Sequence, residues 1–459
     1  MIVLLLLAPE ARSTDVYAKR EGLGCVVCHS SAKGGPLTAA GRDYLWSGKW
    51  MDLRQGPTES VDPSPSRWSG ETVFYGRVFH ERVLGEAEVQ YQASQSVYLE
   101  GTRLFGRDNL NFTGEAYGRA GFSNDQGYED DTLQLVTAEV DWTPKGYDGV
   151  LRLGRHWVTA GVGTHHVDGV STSRVLGEHF DLDAYAGLPV DRGFGGRESD
   201  FLVGGRAGFH HGHQLNAGLS AFYAIDESDP ADGKIGADFQ LTPHERLDVL
   251  GHWFYDWIAE RVYDQRLHLV WRASLSWQLS ADYSRTVPGL FLPKNSIFSV
   301  FSVDRYEEAS LTATYRFTER LSTRAFVRGT EYDDDTDVVQ VGQGLDVRFG
   351  PGGEDDAGVE VAYHDEDREK GGATRVDSDA VFARAYHRLF WTGEIFTALE
   401  VAYNGFAGEA YGRDSSFARA SLGYEPSGST WRFLSGVDYL RNPEWSSRYD
   451  FWLRIAYRF

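Results

Sequence analysis

From about residue 71 to the C-terminus, apolar and polar side chains alternate in short segments separated by Gly, Asp, Asn and Pro. The last segment carries its apolar residues on one face: Tyr449, Phe451, Leu453, Ile455, Tyr457 and Phe459. Its other face carries Asp450, Arg454 and Arg458. A period of two residues is typical of β-strands, because successive side chains point to opposite faces. The pattern predicts an all-β fold of about 18 to 22 strands.

Alternating strands fit either a soluble β-sandwich or a transmembrane antiparallel β-barrel. So many strands in one chain favour the barrel, whose apolar face meets lipid and whose charged face meets water. No segment approaches the roughly 20 apolar residues of a membrane helix. Aromatic residues at segment ends predict interfacial girdles: Trp142, Trp157, Trp271, Trp391 and Tyr449. The C-terminal aromatic strand resembles the assembly signal of bacterial outer-membrane barrels. We therefore expect residues 71–459 to span the outer membrane of a Gram-negative bacterium, in contact with its lipid.

The chain is acidic, with 67 Asp and Glu against 45 Lys and Arg and a net charge of −22. A nucleic-acid partner would favour a basic surface, so we expect none. The 26 Phe, 24 Tyr and 13 Trp exclude a largely disordered chain. Acidic residues cluster in segments that we expect to be polar connections between strands: 129–131, 331–337, 354–356 and 365–367. Such connections either attract cations or are simply solvated.

Both cysteines of the chain lie in one motif, Cys25-Val26-Val27-Cys28-His29. Cys-x-x-Cys-His is the attachment signature of c-type haem, in which two thiols bond the haem vinyl groups and the histidine is the proximal iron ligand. A thioredoxin-like redox pair is the alternative, but that motif belongs beside a βαβ pattern, and none surrounds it here. We predict one covalent haem c on Cys25 and Cys28, with His29 bound to its iron.

The second iron ligand is open at the level of the sequence. Met51 is one of only two methionines, and a thioether ligand would raise the haem potential. An ordinary interfacial role for Met51, a histidine such as His80, or an open iron site would fit equally. The pairs His165-His166 and His210-His211 suggest a metal site, but adjacent strand residues point to opposite faces, so neither pair chelates by itself.

Composition divides the chain into four parts. Residues 1–14 contain an apolar run that predicts a signal-like export segment, although a disordered N-terminus is the alternative. Residues 15–56 form the predicted short helical haem module, which is too small for a core of its own. Residues 57–70, with several Pro and Ser, are the predicted linker, and the barrel follows.

The N-terminal residues resemble those of a known family. The matching positions are Ala18-Lys19-x-x-Gly22-x-x-Cys25-x-x-Cys28-His29 and Pro36-Leu37-Thr38-x-x-Gly41-Arg42-x-Tyr44-x-x-x-Gly48. They are similar to the start of the fused monohaem cytochrome-porins of iron-oxidising bacteria, although Lys19 stands where arginine is common. The resemblance implies a c-type haem module joined to an outer-membrane barrel. It also implies an Fe(II) oxidase that passes electrons inward.

Two residues of the matched segment are candidate haem contacts. Arg42 could neutralise a haem propionate through a bidentate pair, and Tyr44 could pack on the ring. An ordinary turn charge and a small-core aromatic residue are the alternatives for these two positions.

The expected function is electron transfer across the outer membrane through one haem. Fe(II) or another extracellular redox partner would reduce the haem, and a periplasmic c-type cytochrome would collect the electron. Whether this makes the protein an enzyme, a possible Fe(II) oxidase, is open. Three alternatives remain: an outward electron conduit, a diffusion porin whose haem module is a plug or sensor, and a soluble periplasmic β-protein that carries a cytochrome.

Overall fold

The fold is known from a computed structural model that covers most of the chain. It describes residues 29–31, 34–37, 67–83, 86–123, 132–190, 200–212, 214–226, 229–287, 305–333, 336–350, 355–370, 374–407, 414–426, 429–441 and 445–459. Near the N-terminus, β1 (His29–Ser31) and β2 (Gly34–Leu37) form a small antiparallel hairpin. The backbone just after the Cys-x-x-Cys pair is therefore extended. The rest of the predicted helical module lies outside the described residues.

Twenty-two further strands form one closed antiparallel barrel in which sequential strands are neighbours. They are β3 (Arg67–Val83), β4 (Glu86–Thr102), β5 (Leu110–Ser123), β6 (Thr132–Trp142), β7 (Gly149–Val158), β8 (His165–Leu176), β9 (Phe180–Pro189), β10 (Phe201–His211), β11 (Leu215–Asp226), β12 (Asp229–His244), β13 (Leu247–Asp256), β14 (Arg261–Trp271), β15 (Trp277–Thr286), β16 (Tyr306–Arg316), β17 (Leu321–Tyr332), β18 (Thr336–Phe349), β19 (Asp355–Lys370), β20 (Thr374–Phe390), β21 (Ile395–Ala407), β22 (Ser415–Tyr424), β23 (Trp431–Arg441) and β24 (Trp445–Arg458). One turn of 3-10 helix, Leu104–Gly106, lies between β4 and β5.

The first and last barrel strands close the sheet. β24 pairs with β3, and Gly70 and Phe459 exchange two backbone hydrogen bonds of 3.0 Å. Closure pairs each of the 22 described barrel strands on both sides, which is what a bilayer core without water requires. No helix among the described residues is long and apolar enough to cross a membrane.

The two faces of the barrel wall differ in the way the alternation predicts. In β24 the outward Phe451 and Leu453 are 57% and 41% exposed, whereas the inward Asp450 is 2% exposed. Exposed apolar residues continue around the outward face: Leu153, Leu219, Leu311, Val341, Val361, Val381 and Leu422. A closed wall with an apolar outside and a charged inside is the architecture of outer-membrane barrels. The protein accordingly lies in the outer membrane of a Gram-negative bacterium.

The two rims of the barrel can be told apart. Arg67 begins β3 and Phe459 ends the chain at one rim, which we call the terminal rim. The three longest connections, residues 124–131, 190–200 and 287–305, leave the opposite, loop rim. Outer-membrane barrels have short periplasmic turns and longer extracellular loops, so the terminal rim is the periplasmic one.

Tryptophans mark the periplasmic rim. Six stand within or beside the strand ends there: Trp68, Trp142, Trp271, Trp277, Trp391 and Trp431. Trp157 and Tyr449 lie on the outward face toward the loop rim. Aromatic residues at both membrane interfaces are expected of such a barrel.

The start of the barrel and the position of three acidic segments differ from those predicted from the sequence. β3 begins at Arg67, inside the segment predicted as a linker. Three acidic segments expected in connections lie largely in strands, because Asp365 to Asp367 and Asp355 to Asp356 belong to β19 and residues 336–337 begin β18. These acidic residues did not show the apolar and polar alternation of a strand, because they lie at strand ends that extend beyond the apolar belt.

Candidate functional site in the barrel lumen

A belt of alternating charge crosses one side of the lumen from β17 to β23. It consists of Arg324, Glu360, Arg384, Glu400, Arg419 and Asp438, and we call it the ion-pair belt. Arg384 Nε lies 2.7 Å from Glu400 Oε1, and Arg419 Nη2 lies 2.7 Å from Asp438 Oδ2. Arg324 pairs with Glu360. Glu360 also stands directly opposite Arg384 in the β19–β20 register, so neighbouring strands supply charges of opposite sign.

The charged series continues across the strands that close the barrel. Asp450 on β24 accepts hydrogen bonds from Arg77 on β3 and, at 3.0 Å, from Arg448. Trp452 donates from its indole nitrogen to Asp438 Oδ1 at 3.2 Å. Charged side chains are stable here because each is paired with a group of opposite charge.

The opposite side of the lumen has its own charge cluster, centred on Arg206 of β10. Its guanidinium lies 2.8 Å from Asp181 of β9 and 2.9 Å from Asp238 of β12, and it donates to Asn216 Oδ1 at 3.0 Å. A Cβ atom at Gly218 would stand 2.3 Å from Arg206 Nε. The missing side chain at Gly218 is therefore what makes room for the guanidinium.

Residues 159–164, between β7 and β8, fold into the lumen, and we call them the inward loop. Val162 is completely buried, and a Cβ atom at Gly161 would lie 2.0 Å from Ser220 Cβ on β11. Gly161 and Gly163 have φ angles of +73° and +76°, a region that glycine adopts without a steric cost. The loop thus lies flat against the inner wall, several strands away from its own.

A buried apolar cluster holds the inward loop in place. It contains Val158, Ala160, Val162, Val167, Tyr185, Leu202, Phe222, Ala224, Phe254 and Tyr263. A shift of register between β13 and β14 adds Tyr263 to the inner face beside Phe254. The cluster contains side chains from β7 to β14, so one side of the barrel interior is filled by protein.

Two basic side chains support this cluster. His165 stacks on Phe222 with ring centroids 4.1 Å apart, and its Nε2 lies 2.8 Å from the Val162 carbonyl oxygen of the inward loop. Lys234 pairs with Asp232 and lies 4.9 Å from the ring centroid of Tyr263. Ion pairing and the faces of aromatic rings compensate for burial of the ammonium group.

The residues predicted to hold haem lie mostly outside the described part of the chain. Cys25, Cys28, Arg42, Tyr44 and Met51 are among those outside it. His29 is described by its backbone, which begins β1 opposite Leu37.

The histidines named as possible metal ligands do not converge. His80 stands opposite Tyr449 on the outward face, away from the lumen. His165 faces inward, whereas His166 faces outward and stacks on Trp157, as the strand period requires. Among the described residues, no group of three His, Cys, Asp or Glu side chains could hold a metal ion.

Sequence reasoning missed the inward loop and the cluster beneath it. The only local sign is the segment Thr159-Ala160-Gly161-Val162-Gly163-Thr164, whose two glycines interrupt the alternation. Glycine-rich connections are common at strand ends, so the segment does not reveal that it folds inward.

Solved barrels of similar fold exist at low sequence identity. The translocation pore of the P pilus usher PapC is 10% identical, covering 85% of this chain and 99% of that chain, with a TM-score of 0.47. OpdQ of Pseudomonas aeruginosa is 11% identical, covering 86% and 99%, with a TM-score of 0.42. The outer-membrane protein OpdK of the same organism is 10% identical, covering 86% and 98%, with a TM-score of 0.39. No protein-family model and no curated protein matches the chain.

Proposed function

We propose that the protein is an outer-membrane diffusion porin for small hydrophilic solutes, with a c-type haem module attached at its periplasmic end. The polar lumen carries this proposal. A barrel of 22 strands is wider than its own side chains can fill. The inward loop occupies one side, and the ion-pair belt lines the other with groups that hold water.

The charge of the belt suits a general solute path. Arginines and carboxylates alternate, so neither sign dominates this wall. A neutral sugar or a small zwitterion would meet hydrogen-bonding groups of both kinds. We expect modest ion selectivity for this reason.

Liposome swelling tests the solute path. Liposomes that contain the purified full-length chain should swell in isotonic solutions of small neutral sugars, at rates that fall with sugar size. Liposomes with heat-denatured protein supply the control. Swelling no faster than this control would contradict the porin function.

The haem module rests on the motif chemistry. The two thiols and the adjacent imidazole are the donor set that c-type haem attachment needs, so Cys25 and Cys28 would hold the group and His29 would bind its iron. When bound, a haem supplies one-electron transfer. Residues 1–66 join the barrel at Arg67 on the periplasmic rim, which favours a periplasmic c-type cytochrome as redox partner.

The same motif supports a second candidate function, electron transfer across the outer membrane. In this function Fe(II) or another extracellular donor would supply electrons inward, or respiratory electrons would leave outward. Anaerobic addition of Fe(II) to the oxidised full-length protein separates these possibilities. Rapid appearance of the ferrocytochrome bands would support Fe(II) oxidation. A haem that dithionite reduces fully but Fe(II) leaves oxidised would exclude it.

A further inference from the structure

The backbone ladder between β6 and β7 stops partway up the barrel wall. It joins Trp142 to Leu151 near the periplasmic rim and ends at the pair Ala138 and Arg155. Residues 132–137 continue β6 toward the loop rim and pair with β5, but among the described residues they have no backbone pairing with β7. We call this part of the wall, between residues 132–137 and the end of β7, the seam.

Two backbone irregularities lie at the seam, one on each strand. Gly154 of β7 has a φ angle of +121°, and a Cβ atom there would stand 2.1 Å from the Ala138 carbonyl oxygen. On the facing strand Val136 is the extra residue of a β-bulge, since Leu135 opposes Ala116 while Thr137 opposes Glu115. Bulges bend a strand and end its pairing, often beside functional sites. Both strands are therefore shaped to part here.

A latch of polar side chains closes the seam in place of the ladder. Arg155 Nε and Nη2 lie 2.7 and 2.6 Å from the carboxylate oxygens of Asp168 on β8. The same guanidinium donates from Nη1 to the Leu135 carbonyl oxygen at 3.0 Å, and His166 Nε2 lies 2.6 Å from the Val136 carbonyl oxygen. Side chains thus satisfy two backbone carbonyls that face lipid, as a bilayer requires.

The charged part of the latch faces outward. Arg155 and Asp168 alternate along their strands with the same parity as Leu153 and Val170, which are exposed on the lipid side. Ionisable side chains at membrane depth are expensive, so they are rare and usually mark a path or a moving part. A continuous ladder would have held β6 to β7 without this cost. The ion pair therefore points to a joint that opens.

Apolar side chains lie on both sides of the seam. On the lipid side Leu133 and Leu135 of β6 are exposed. On the lumen side β7 leads directly into the inward loop, where Val158 and Ala160 belong to the buried apolar cluster. Once the latch is displaced, a molecule crossing the seam would meet hydrocarbon at both ends.

We propose that the seam is a lateral portal through which small, uncharged apolar molecules pass between the lumen and the surrounding lipid. Opening a continuous ladder breaks many backbone hydrogen bonds together, whereas the seam opens when the Arg155 and His166 side chains move. Hydrophilic solutes stay in the lumen, because lipid offers them no hydrogen-bond partners. The portal is thus a second path, beyond the diffusion of hydrophilic solutes.

Uptake of the apolar dye N-phenylnaphthylamine tests the portal in Gram-negative cells that make the full-length protein. The dye fluoresces on entering lipid, and an intact outer leaflet slows its entry. Wild-type protein should speed uptake relative to cells without it. R155M removes the hydrogen-bonded charge of the latch and should raise the uptake rate about tenfold. D168N keeps Arg155 and should raise the rate by less.

R285M is the matched control. Arg285 also faces outward, since it shares the parity of Ala281 opposite the exposed Leu311, and its Nε lies 3.6 Å from a Glu307 carboxylate oxygen. The β15–β16 ladder is continuous at this pair, so R285M should take up dye at the wild-type rate. Heat-dependent gel mobility verifies that each variant is folded.

Equal dye uptake by R155M and R285M would overturn the portal. Uptake that rises only together with release of periplasmic protein would also overturn it, because the variant would then damage the membrane as a whole. Liposome swelling separates the portal from the porin. R155M should swell liposomes in sugar solutions at the wild-type rate, because its latch faces lipid. Absence of swelling with wild-type protein would contradict the porin alone.

Discussion

At the scale of single residues, glycine and arginine positions decide how the lumen is filled. Gly161 lets the inward loop touch β11, and Gly218 makes room for the guanidinium of Arg206. Arg206, 11% exposed, is held in turn by Asp181 and Asp238, which are 22% and 10% exposed. Gly161 and Arg206 each have a less constrained counterpart elsewhere in the barrel, Gly177 and Arg384, so the effect of each can be isolated.

Replacing Gly161 by valine should displace the inward loop. The new Cβ would overlap Ser220, and the positive φ adds strain, so we expect a loss of about 1–3 kcal/mol in the free energy of unfolding. Single-channel conductance should fall, because a loop that is pushed off the wall projects further into the lumen. G177V is the control, because Gly177 has a similar φ of +70° with nothing near its Cβ position. Equal conductance of the two variants would argue against a loop that narrows the lumen.

Removing the Arg206 side chain should be more harmful than removing a belt arginine. R206A leaves Asp181 and Asp238 without their shared cation, and we expect a loss of about 3 kcal/mol in the free energy of unfolding. R384A should cost at most about 1 kcal/mol, since Arg384 is 38% exposed to a watery lumen. Urea unfolding in liposomes measures both. Similar losses would mean that both charges are equally solvated.

At the scale of elements, each strand divides lipid from water by side-chain parity. Val341 of β18 faces outward near the middle of the strand, and its neighbour Gln340 faces inward. The inward loop is the described connection that breaks this plan, because it places apolar residues on the water side and fills the space beneath with its cluster.

Arginine substitutions at two adjacent positions of β18 should show directly which residue faces lipid and which faces the lumen. V341R places a guanidinium in the lipid and should cost about 2–4 kcal/mol of unfolding free energy. Q340R places the same group in the lumen and should change stability by less than about 1 kcal/mol. Urea unfolding in liposomes again supplies the values. A larger cost for Q340R than for V341R would mean that β18 has the opposite register.

The sequence predicted the strands because one face of each strand meets lipid and the other face meets the lumen. This imposes an alternation of apolar and polar residues along the strand. The last strand, from Tyr449 to Phe459, is the plainest case. The inward loop could not be predicted, since it depends on contact between the segment after β7 and the distant strand β11. The haem residues were predicted from chemistry alone, and Cys25 and Cys28 stay predictions.

At the scale of the whole molecule, the first strand of a wide barrel begins at Arg67 on the periplasmic rim, and the haem motif precedes it in sequence. The barrel is closed by its own first and last strands, so the N-terminal segment is not needed to complete the wall. We therefore expect that changes in the haem motif affect haem attachment without affecting the folding of the barrel.

The double variant C25S/C28S should lose covalent haem while the barrel still folds. Neither thiol would remain to bond a haem vinyl group, and the strands from Arg67 onward are unchanged. Haem staining after denaturing electrophoresis measures attachment, and heat-dependent gel mobility measures folding. K33S is a control substitution that leaves the motif intact. Haem staining that survives in C25S/C28S would contradict attachment at this motif.

The most direct measurement of a solute path is single-channel conductance of the full-length chain in planar lipid bilayers. The polar lumen predicts discrete, uniform conductance steps from folded protein, and smaller steps from G161V than from G177V. Folded, membrane-inserted protein that gives no steps, or steps indifferent to the inward loop, would contradict a path that runs past this loop through the lumen.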